Sequence, residues 1–397
     1  MTWRHGVVRS LGRCWTGAQE LTVQLLDDAA TGQPPGAAAP PPDPGAPPVE
    51  VSALAYPDLV GVPSPGEHVL LNTTAQRRGL GTGGYALVVA RPDHLPSDPP
   101  PRPGHIVKAR YTPQQMMVLG VDEQESPHHE LLREADDLAG MPVVVADLHS
   151  ALPAVLAGVR AEAAHRGREL SVAYVMTDGG ALPAWFSRTV AGLSRAGWLA
   201  ATITTGQAYG GDLEAVTVHS GLLAAHLVAR ADVVVLAQGP GNAGTGTRWG
   251  FSGVAAGEAL NAAAVLGGRA VASLRISGTD QRERHYGISH HSLTTIGRVA
   301  LAPVDVVVPE LDGDLGARVT EQAHRLGAAE RARGLGGGHR LVRVPTTGLD
   351  QALAGSPVPL STMGRSLADD PAPFLAAAAA GVHAARLVLG DQRGQPA

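Results

Sequence analysis

Hydrophobic residues follow two different patterns along the chain. In the N-terminal part, runs such as Gly6–Ser10, Glu20–Leu26 and Val51–Tyr56 have the length and composition of β-strands, and turn residues separate them. The glycine run Gly79–Gly84 lies between two such segments, which indicates a hairpin turn and not a phosphate-binding loop. Residues 1–92 are therefore predicted to form a small β-barrel-like domain.

Beyond the N-terminal part, short apolar runs alternate with helical stretches, as is typical of parallel βαβ units. Their Val and Ile content suits strands that are buried on both faces. The fold class predicted is α/β, with a mostly parallel sheet flanked by helices and a small N-terminal β-barrel-like domain. The predicted strands are Val143–Ala146, Val172–Met176, Ala200–Thr204, Val233–Ala237, Ala270–Ile276, Val304–Val308 and Leu341–Val344.

Stretches rich in alanine and proline indicate where the domains begin and end. The Ala- and Pro-rich residues 29–48 cannot bury a core, which predicts a disordered insertion within the first domain. A second Pro-rich stretch, residues 93–104, reads as a linker. The α/β domain is then predicted to span residues 105–390, with residues 391–397 as a flexible tail.

Charge and cysteine content narrow the class of protein. The formal net charge is −5 without a basic block, so nucleic-acid binding is not expected. A single cysteine excludes an internal disulfide framework and indicates a reducing compartment, which predicts a cytoplasmic location. No apolar run reaches the ~18–20 residues of a membrane span, and the first residues lack the apolar core of a signal peptide, so no membrane partner is expected.

Polar residues follow most of the predicted strands. Parallel strands end at one edge of the sheet, where open α/β folds bind ligands. The simpler alternative is that such residues cap helices or shape loops. The residues in question are Asp147, His149, Asp178, Gln207, Asp212, Gln238 and Arg275.

A glycine-rich loop follows the fourth predicted strand. Gly239–Gly244 matches G-x-G-x-x-G, but the next helix is expected only at Ser252–Leu266 and the next strand ends near Arg275 instead of a carboxylate. A nicotinamide site is therefore not expected. Backbone amides with Thr245, Thr247 and Arg248 suit an anion, although a purely structural loop explains the glycines equally well.

Histidines form a second constellation, in the run His285–Ser292 beside Arg282 and Arg284. Imidazole can act as a general base, a general acid or a metal ligand. Neighbouring histidines usually point apart, so at most one of His290 and His291 is expected to reach a common centre. Asp147 and His149 are further metal candidates, although no H-x-x-x-H spacing supports a metal and capping or solvated histidines are the alternative.

These observations predict an enzyme that acts on a small polar or anionic metabolite; they identify neither a cofactor nor a reaction. The expected catalytic groups are the carboxylates of Asp147, Asp178 and Asp212, as acid, base or metal ligands, and His290 or His291 as proton carrier. The expected substrate-binding residues are Gln207, Gln238, Gly239, Gly241, Asn242, Thr245, Arg248 and Arg275.

Two alternatives belong to other classes. One is a non-catalytic metabolite-sensing protein whose N-terminal barrel binds RNA or a protein, by analogy of fold alone. The other is a homo-oligomer that uses the alanine-rich helix predicted at Pro371–Leu389.

Several long motifs resemble a bacterial family catalogued as number 3866 among the domains of unknown function. The resemblance spans nearly the whole chain and implies no reaction, cofactor or catalytic residue. The matching runs are Val107–Gln114, Leu119–His128, Asp147–Ala154, Thr177–Ser187, Thr205–Val216, Gln238–Phe251 and Ser289–Leu293.

Overall fold

A computed structural model describes residues 1–26, 48–80, 83–332 and 338–390. The chain divides into two compact units. The first comprises Met1–Arg102 with Tyr111–Met116, and the second comprises Pro103–Arg110 with the residues from Met117 onward. The predicted insertion at residues 29–48, apart from Pro48, and the predicted tail at residues 391–397 lie outside the described residues, as does part of the glycine run between Leu80 and Gly83.

The first unit is a closed five-stranded barrel, as the sequence pattern predicted. Its strands are hydrogen-bonded in the order β1-β2-β3-β5-β4, and β3 and β5 are parallel. Val8, Leu21, Val23 and Leu71 fill the interior. The short helix α1 (Pro57–Val60) follows the third strand. The strands are β1 (Trp3–Trp15), β2 (Ala18–Leu25), β3 (Glu50–Ala55), β4 (His68–Asn72) and β5 (Ala86–Ala90).

The second unit contains an eight-stranded parallel sheet with helices on both faces, which confirms the predicted fold class. The sheet order is β11-β10-β9-β12-β8-β13-β16-β17. These strands are β8 (Pro142–Val145), β9 (Val172–Thr177), β10 (Ala201–Thr204), β11 (Leu213–Glu214), β12 (Val233–Gln238), β13 (Arg269–Ser273), β16 (Asp305–Glu310) and β17 (Arg340–Pro345).

In the described residues, three short two-stranded ribbons accompany the sheet. One of them, which follows β13, begins where the sequence predicted that β13 itself would continue. β13 ends at Ser273 instead of running to Ile276, because the chain turns at Leu274 and Arg275 and enters a hairpin. The ribbons are β6 (Ile106–Lys108) with β7 (Met116–Val118), β14 (Ile276–Ser277) with β15 (Gly287–Ile288), and β18 (Ser361–Thr362) with β19 (Arg365–Ser366).

The helices of the second unit pack on the two faces of the sheet through separate apolar clusters. One cluster takes side chains from α5, α6 and α8, and the other from α3, α4, α9 and α10. Side chains alternate between the two faces along β8 and the residue after it, so Val143 and Val145 join the first cluster and Val144 and Ala146 join the second. The helices are α2 (His129–Leu132), α3 (Leu152–His165), α4 (Arg188–Arg195), α5 (Val218–Leu227), α6 (Ala255–Val265), α7 (His290–Thr294), α8 (Gly313–Ala332), α9 (Leu349–Ala354) and α10 (Ala372–Leu389).

Helix α2 is short and ends at Leu132. The following residues are mostly exposed and polar, so they offer no apolar face that packing could stabilise. Ala139 has a positive φ of 49°, and its N–H bonds to the Asp137 carboxylate, which fixes a turn where a longer helix would continue.

Helices α3 and α10 approach each other at backbone distance. A Cβ added to Gly158 would lie 1.9 Å from the carbonyl oxygen of Ala378, and one added to Gly381 would lie 2.0 Å from that of Val155. By length and composition α10 could also cross a membrane, with a mean hydropathy of 1.5 over its 18 residues, but 72% of it is buried inside this unit. The apolar character of α10 is therefore used in helix packing here.

Lys108, the only lysine in the chain, links β6 by hydrogen bonds to the β10–β11 end of the sheet. Its side chain is 1% exposed, and Nζ donates to the carbonyl oxygens of Thr204 (3.0 Å) and Ala208 (2.7 Å) and to Oε2 of Glu214 (2.8 Å). All three ammonium protons are thus used. Burial lowers the pKa of Lys108, and the Glu214 carboxylate opposes that effect.

Because α3 and α10 touch through glycine, the stability of the protein should depend strongly on the size of the side chain at Gly158. Gly158→Ala is expected to lower the free energy of unfolding by about 3 kcal/mol, because two backbones must separate to admit one methyl group. Urea denaturation followed by circular dichroism measures the change.

Gly355→Ala is the matched control, because a Cβ at Gly355 meets nothing closer than 3.4 Å and its φ of −79° suits alanine. It should leave stability unchanged or raise it by up to about 1 kcal/mol. Equal stability of the Gly158 and Gly355 variants would contradict the close contact.

Candidate functional site

The topology of the sheet places a crevice at the carboxyl ends of its central strands. From β8 the chain runs toward one edge of the sheet, to β9 and then β10, with α3 and α4 on one face. From β12 it runs toward the opposite edge, to β13 and then β16, with α6 on the other face. Ligands bind in open α/β sheets where the direction of winding changes in this way. Asp147, Gln238 and Arg275 lie at the ends of the three adjacent strands β8, β12 and β13.

The β14–β15 hairpin folds a polar segment over this edge. Its base is held by the Arg275 backbone, whose N–H donates to Ser292 Oγ (2.9 Å) and whose carbonyl accepts from the Ser289 N–H (2.8 Å). In its loop, the Asp280 carboxylate accepts hydrogen bonds from Arg282 and Arg365. The hydrogen bonds from Arg282 hold the pKa of Asp280 well below its usual range, so an ion pair stabilises this loop.

This folding gathers three histidines. One ring nitrogen from each of His285, His290 and His291 lies within 4.8 Å of the others, and this is the one such group among the described residues. The expectation that at most one of His290 and His291 would reach a common centre is therefore wrong. Both lie at the start of α7, directly after its N-cap residue Ser289, and the hairpin brings His285 back to meet them.

Neighbouring groups fix the orientation of two of the rings. His285 Nδ1 is 2.8 Å from Ser289 Oγ, and the His291 ring stacks on Phe251 with 3.9 Å between ring centroids and an interplanar angle of 1°. Burial lowers the pKa of His285 to about 4 and that of His291 to about 3, and the Arg275 charge adds to both effects. The imidazoles are consequently neutral near pH 7.

Asp147 borders the histidines from the end of β8. Its Oδ2 lies 3.7 Å from Nη1 of Arg275 and 3.9 Å from Nδ1 of His291, while Arg275 Nη1 donates to His291 Nδ1 at 3.0 Å. Oδ2 of Asp147 is buried without a hydrogen-bond partner in the described structure. Burial raises the pKa of Asp147, and the neighbouring Arg275 opposes this.

Two hollows adjoin the histidine cluster. A cavity of about 30 Å³ lies on the Asp147 side, with Arg275, Asp280 and His285 in its wall, and has room for about two water molecules. A groove of about 540 Å³ lies on the other side, with His290 in its wall, and is large enough for a metabolite. Four arginines line the groove, namely Arg248, Arg284, Arg298 and Arg325.

The loops after β8, β9, β10 and β12 lie side by side along the edge, but neither hollow includes the loops after β9 and β10. Asp178 is exposed, and its Oδ2 accepts from the Gln207 N–H (2.8 Å). The exposed Asp212 similarly accepts from the Thr202 N–H (2.8 Å), and Gln207 Oε1 accepts from the Arg110 N–H. These three side chains accept hydrogen bonds from backbone amides and line neither hollow.

Gln238 and Asn242 tie the β12 loop to the site. Gln238 Nε2 donates to the Asp147 carbonyl (2.9 Å) and to Asn242 Oδ1 (3.0 Å), and Asn242 Oδ1 also accepts from Ser252 Oγ and the Gly253 N–H. A Cβ on Gly239 would lie 2.3 Å from the Ala181 carbonyl oxygen, so glycine there permits close loop packing.

Farther along the β12 loop the chain folds on itself. Gly241 has a positive φ of 94°, and the Thr245 N–H donates to the Gly250 carbonyl (2.7 Å). The Thr245 and Thr247 hydroxyls also bond to each other, which leaves Arg248 of this loop in the wall of the groove.

His149 occupies a structural position instead of a metal site. Its Nδ1 lies 2.9 Å from the Tyr174 hydroxyl and its Nε2 lies 2.7 Å from Ser187 Oγ, so neither nitrogen is available to an ion. The Ser187 hydroxyl also caps α4 by accepting from the Val190 N–H. Burial lowers the pKa of His149 to about 4, so it is neutral in the folded protein near pH 7.

The site also contains residues that were not singled out individually from the sequence, namely His285, Phe251 and Asp280. His285 shares a run with His290 and His291, and that proximity was the available signal. Phe251 and Asp280 act through ring stacking and an ion pair, which only the folded loops reveal.

The chain belongs to the family described as "Protein of unknown function (DUF3866)", whose profile matches residues 52–381. This confirms the resemblance found in the motifs, and the match covers the parts of the second unit that carry the site. No curated protein matches the chain.

The buried His149 predicts that the protein loses stability in acid. Its folded pKa of about 4 lies below the ordinary value of 6.5, so the unfolded chain binds the proton more tightly between these values. Stability from this group is complete above its unfolded pKa and falls as the pH decreases toward the folded pKa. Its contribution should fall by about 2 kcal/mol between about pH 7.5 and about pH 5.

His149→Gln isolates this contribution from those of the other histidines. The variant should be less stable than the wild type at about pH 7.5, and it should lose less stability on acidification, as measured by urea denaturation at both pH values. Parallel losses in the two proteins would show that His149 does not titrate as described.

Proposed function

We propose that this protein is an enzyme acting on a small anionic metabolite, which the arginine-lined groove binds and the histidine cluster transforms. The observation that carries the proposal is the position of His290. It forms part of the groove wall and part of the cluster beside Asp147, so a ligand held in the groove lies against chemically competent side chains.

The charge of the groove supports an anionic ligand. Four arginines and no carboxylate line it within the described structure. Arg284 bonds to the Gly246 carbonyl, and neither Arg284 nor Arg248 forms an ion pair with a described carboxylate. Guanidinium groups in this arrangement can bind carboxylate or phosphate oxygens in bidentate fashion. We therefore propose the anion-binding role for Arg248 that was expected from the sequence.

The surroundings of the histidine cluster support chemistry as well as binding. The buried Asp147 Oδ2 has no hydrogen-bond partner in the described structure although Arg275 and His291 lie within 4 Å of it. An unsatisfied buried carboxylate oxygen is costly, and such groups concentrate at functional sites. Of the three carboxylates predicted to be catalytic, Asp147 is therefore the one that we propose as part of the active site.

The groove can be tested with inorganic pyrophosphate as the probe. Isothermal titration calorimetry should detect binding that weakens as ionic strength rises. The double variant Arg248→Ala/Arg284→Ala should weaken it at least about 10-fold, because each charged hydrogen bond is worth about 1.5–3 kcal/mol. Arg133→Ala, at an exposed arginine that forms the C-cap of α2, is the control and should bind like the wild type.

Catalysis requires a second readout. A mixture of anionic metabolites incubated with the wild type should show loss of one component by mass spectrometry, and the double arginine variant should consume it more slowly. Equal pyrophosphate binding by the wild type and the double variant would overturn the groove assignment. Binding without consumption of any component would contradict an enzyme and favour the metabolite-sensing alternative.

A further inference from the structure

Among the buried polar atoms that have no hydrogen-bond partner in the described part of the chain, two belong to the histidine cluster and its neighbour Asp147. One is Nε2 of His290 and the other is Oδ2 of Asp147. Buried polar atoms are nearly always satisfied in folded proteins, so an unsatisfied pair beside one cluster points to an absent ligand. An anion in the groove cannot satisfy the carboxylate oxygen of Asp147, whereas a cation can bind next to it and can also accept the lone pair of His290 Nε2 in the tautomer that carries its proton on Nδ1.

We propose that His285, His290 and His291 together bind one divalent transition-metal ion such as Zn²⁺, and that Asp147 acts as a positioning residue for His291. Imidazole nitrogens are suitable ligands for Zn²⁺, Co²⁺, Ni²⁺ and Cu²⁺. Three protein ligands leave a coordination position open, as in catalytic zinc sites.

The three rings bring ring nitrogens close to one another. Nδ1 of His285 is occupied by Ser289 Oγ, which leaves Nε2 of this residue as the ligand atom, and Nε2 of His290 has no other partner. One ring nitrogen of each histidine lies within 4.8 Å of the others, whereas nitrogens around tetrahedral Zn²⁺ are about 3.3 Å apart. Rotations of the three side chains can close that difference, and stacking on Phe251 restrains His291.

Asp147 occupies the position of an outer carboxylate. Histidines that bind metals usually donate their second ring N–H to a carboxylate or a carbonyl, which fixes the ring and its tautomer. Asp147 Oδ2 lies 3.9 Å from His291 Nδ1, and Arg275 now bonds to that nitrogen at 3.0 Å. A small shift of Arg275 toward Asp147, 3.7 Å away, together with a change of tautomer that moves the ring proton of His291 from Nε2 to Nδ1, would let Nδ1 donate to the carboxylate and leave Nε2 for the ion.

The charges around the cluster agree with this assignment. Arg275 is matched by Asp147, and Arg282 is paired with Asp280. The remaining positive charge of Arg284 and Arg248 lies on the groove side, where the proposed anionic ligand would balance both the arginines and the ion. The metal proposal deepens the proposed function, although the histidine cluster alone carries it.

Metal binding can be measured directly. The tag-free protein, stripped with a chelator and dialysed against Zn²⁺, should retain about one zinc per chain by elemental mass spectrometry. Loading with Co²⁺ should give visible absorption bands of a nitrogen-bound ion. His290→Asn and, independently, His285→Asn should abolish stoichiometric binding, and Asp147→Asn should weaken zinc binding about 10–100-fold.

His219→Gln is the matched control, because His219 is exposed on α5 away from the cluster. It should retain one zinc per chain. Circular dichroism and thermal unfolding of the metal-free proteins identify any variant that fails to fold, and the second histidine variant then decides the matter.

Several outcomes would overturn the metal site: wild-type protein that retains no zinc or cobalt, folded His290 and His285 variants that retain it fully, or a His219 variant that loses it equally. Pyrophosphate titrations of metal-free protein test the groove separately, so failure of either proposal leaves the other measurable. Unchanged zinc affinity in Asp147→Asn would remove the positioning role of Asp147.

Discussion

The pairing of β8 with β13 is the constraint on which the site depends. These strands are remote in sequence, yet their parallel register sets Val143 beside Ala270 and Val145 beside Ala272. The chain leaves both strands at the same edge, so Asp147 meets Arg275, and the hairpin that follows delivers the histidines to the same point. If this pairing shifted, Asp147 would lose its neighbours even though every local segment kept its own structure.

The sequence revealed the architecture because hydrophobic periodicity is local. Buried parallel strands require short Val-rich runs, and all seven predicted strands are present with small differences at their ends. β11 escaped notice because it has two residues and carries no pattern. The N-terminal barrel was likewise predictable from its strand-like runs. Its strand order was not, because it depends on pairings between strands that no single segment encodes.

The candidate site was predictable only in part. Asp147, Arg275, His290 and His291 were identified from their positions after strands, and the fold brings them together. Asp178 satisfies the same sequence criterion but binds a backbone amide instead, because a carboxylate after a strand serves a loop as readily as it serves chemistry. A criterion based on position along the chain cannot distinguish these roles, since the difference arises from which loop lies opposite.

The burial of Lys108 also has a consequence for how the protein can be handled chemically. Acylating reagents and reductive methylation modify uncharged amines that solvent can reach, and this side chain is 1% exposed with all of its protons engaged. In the folded state the side-chain amine of Lys108 is therefore closed to such reagents, and its modification would report that the contact between β6 and the β10–β11 end of the sheet has opened.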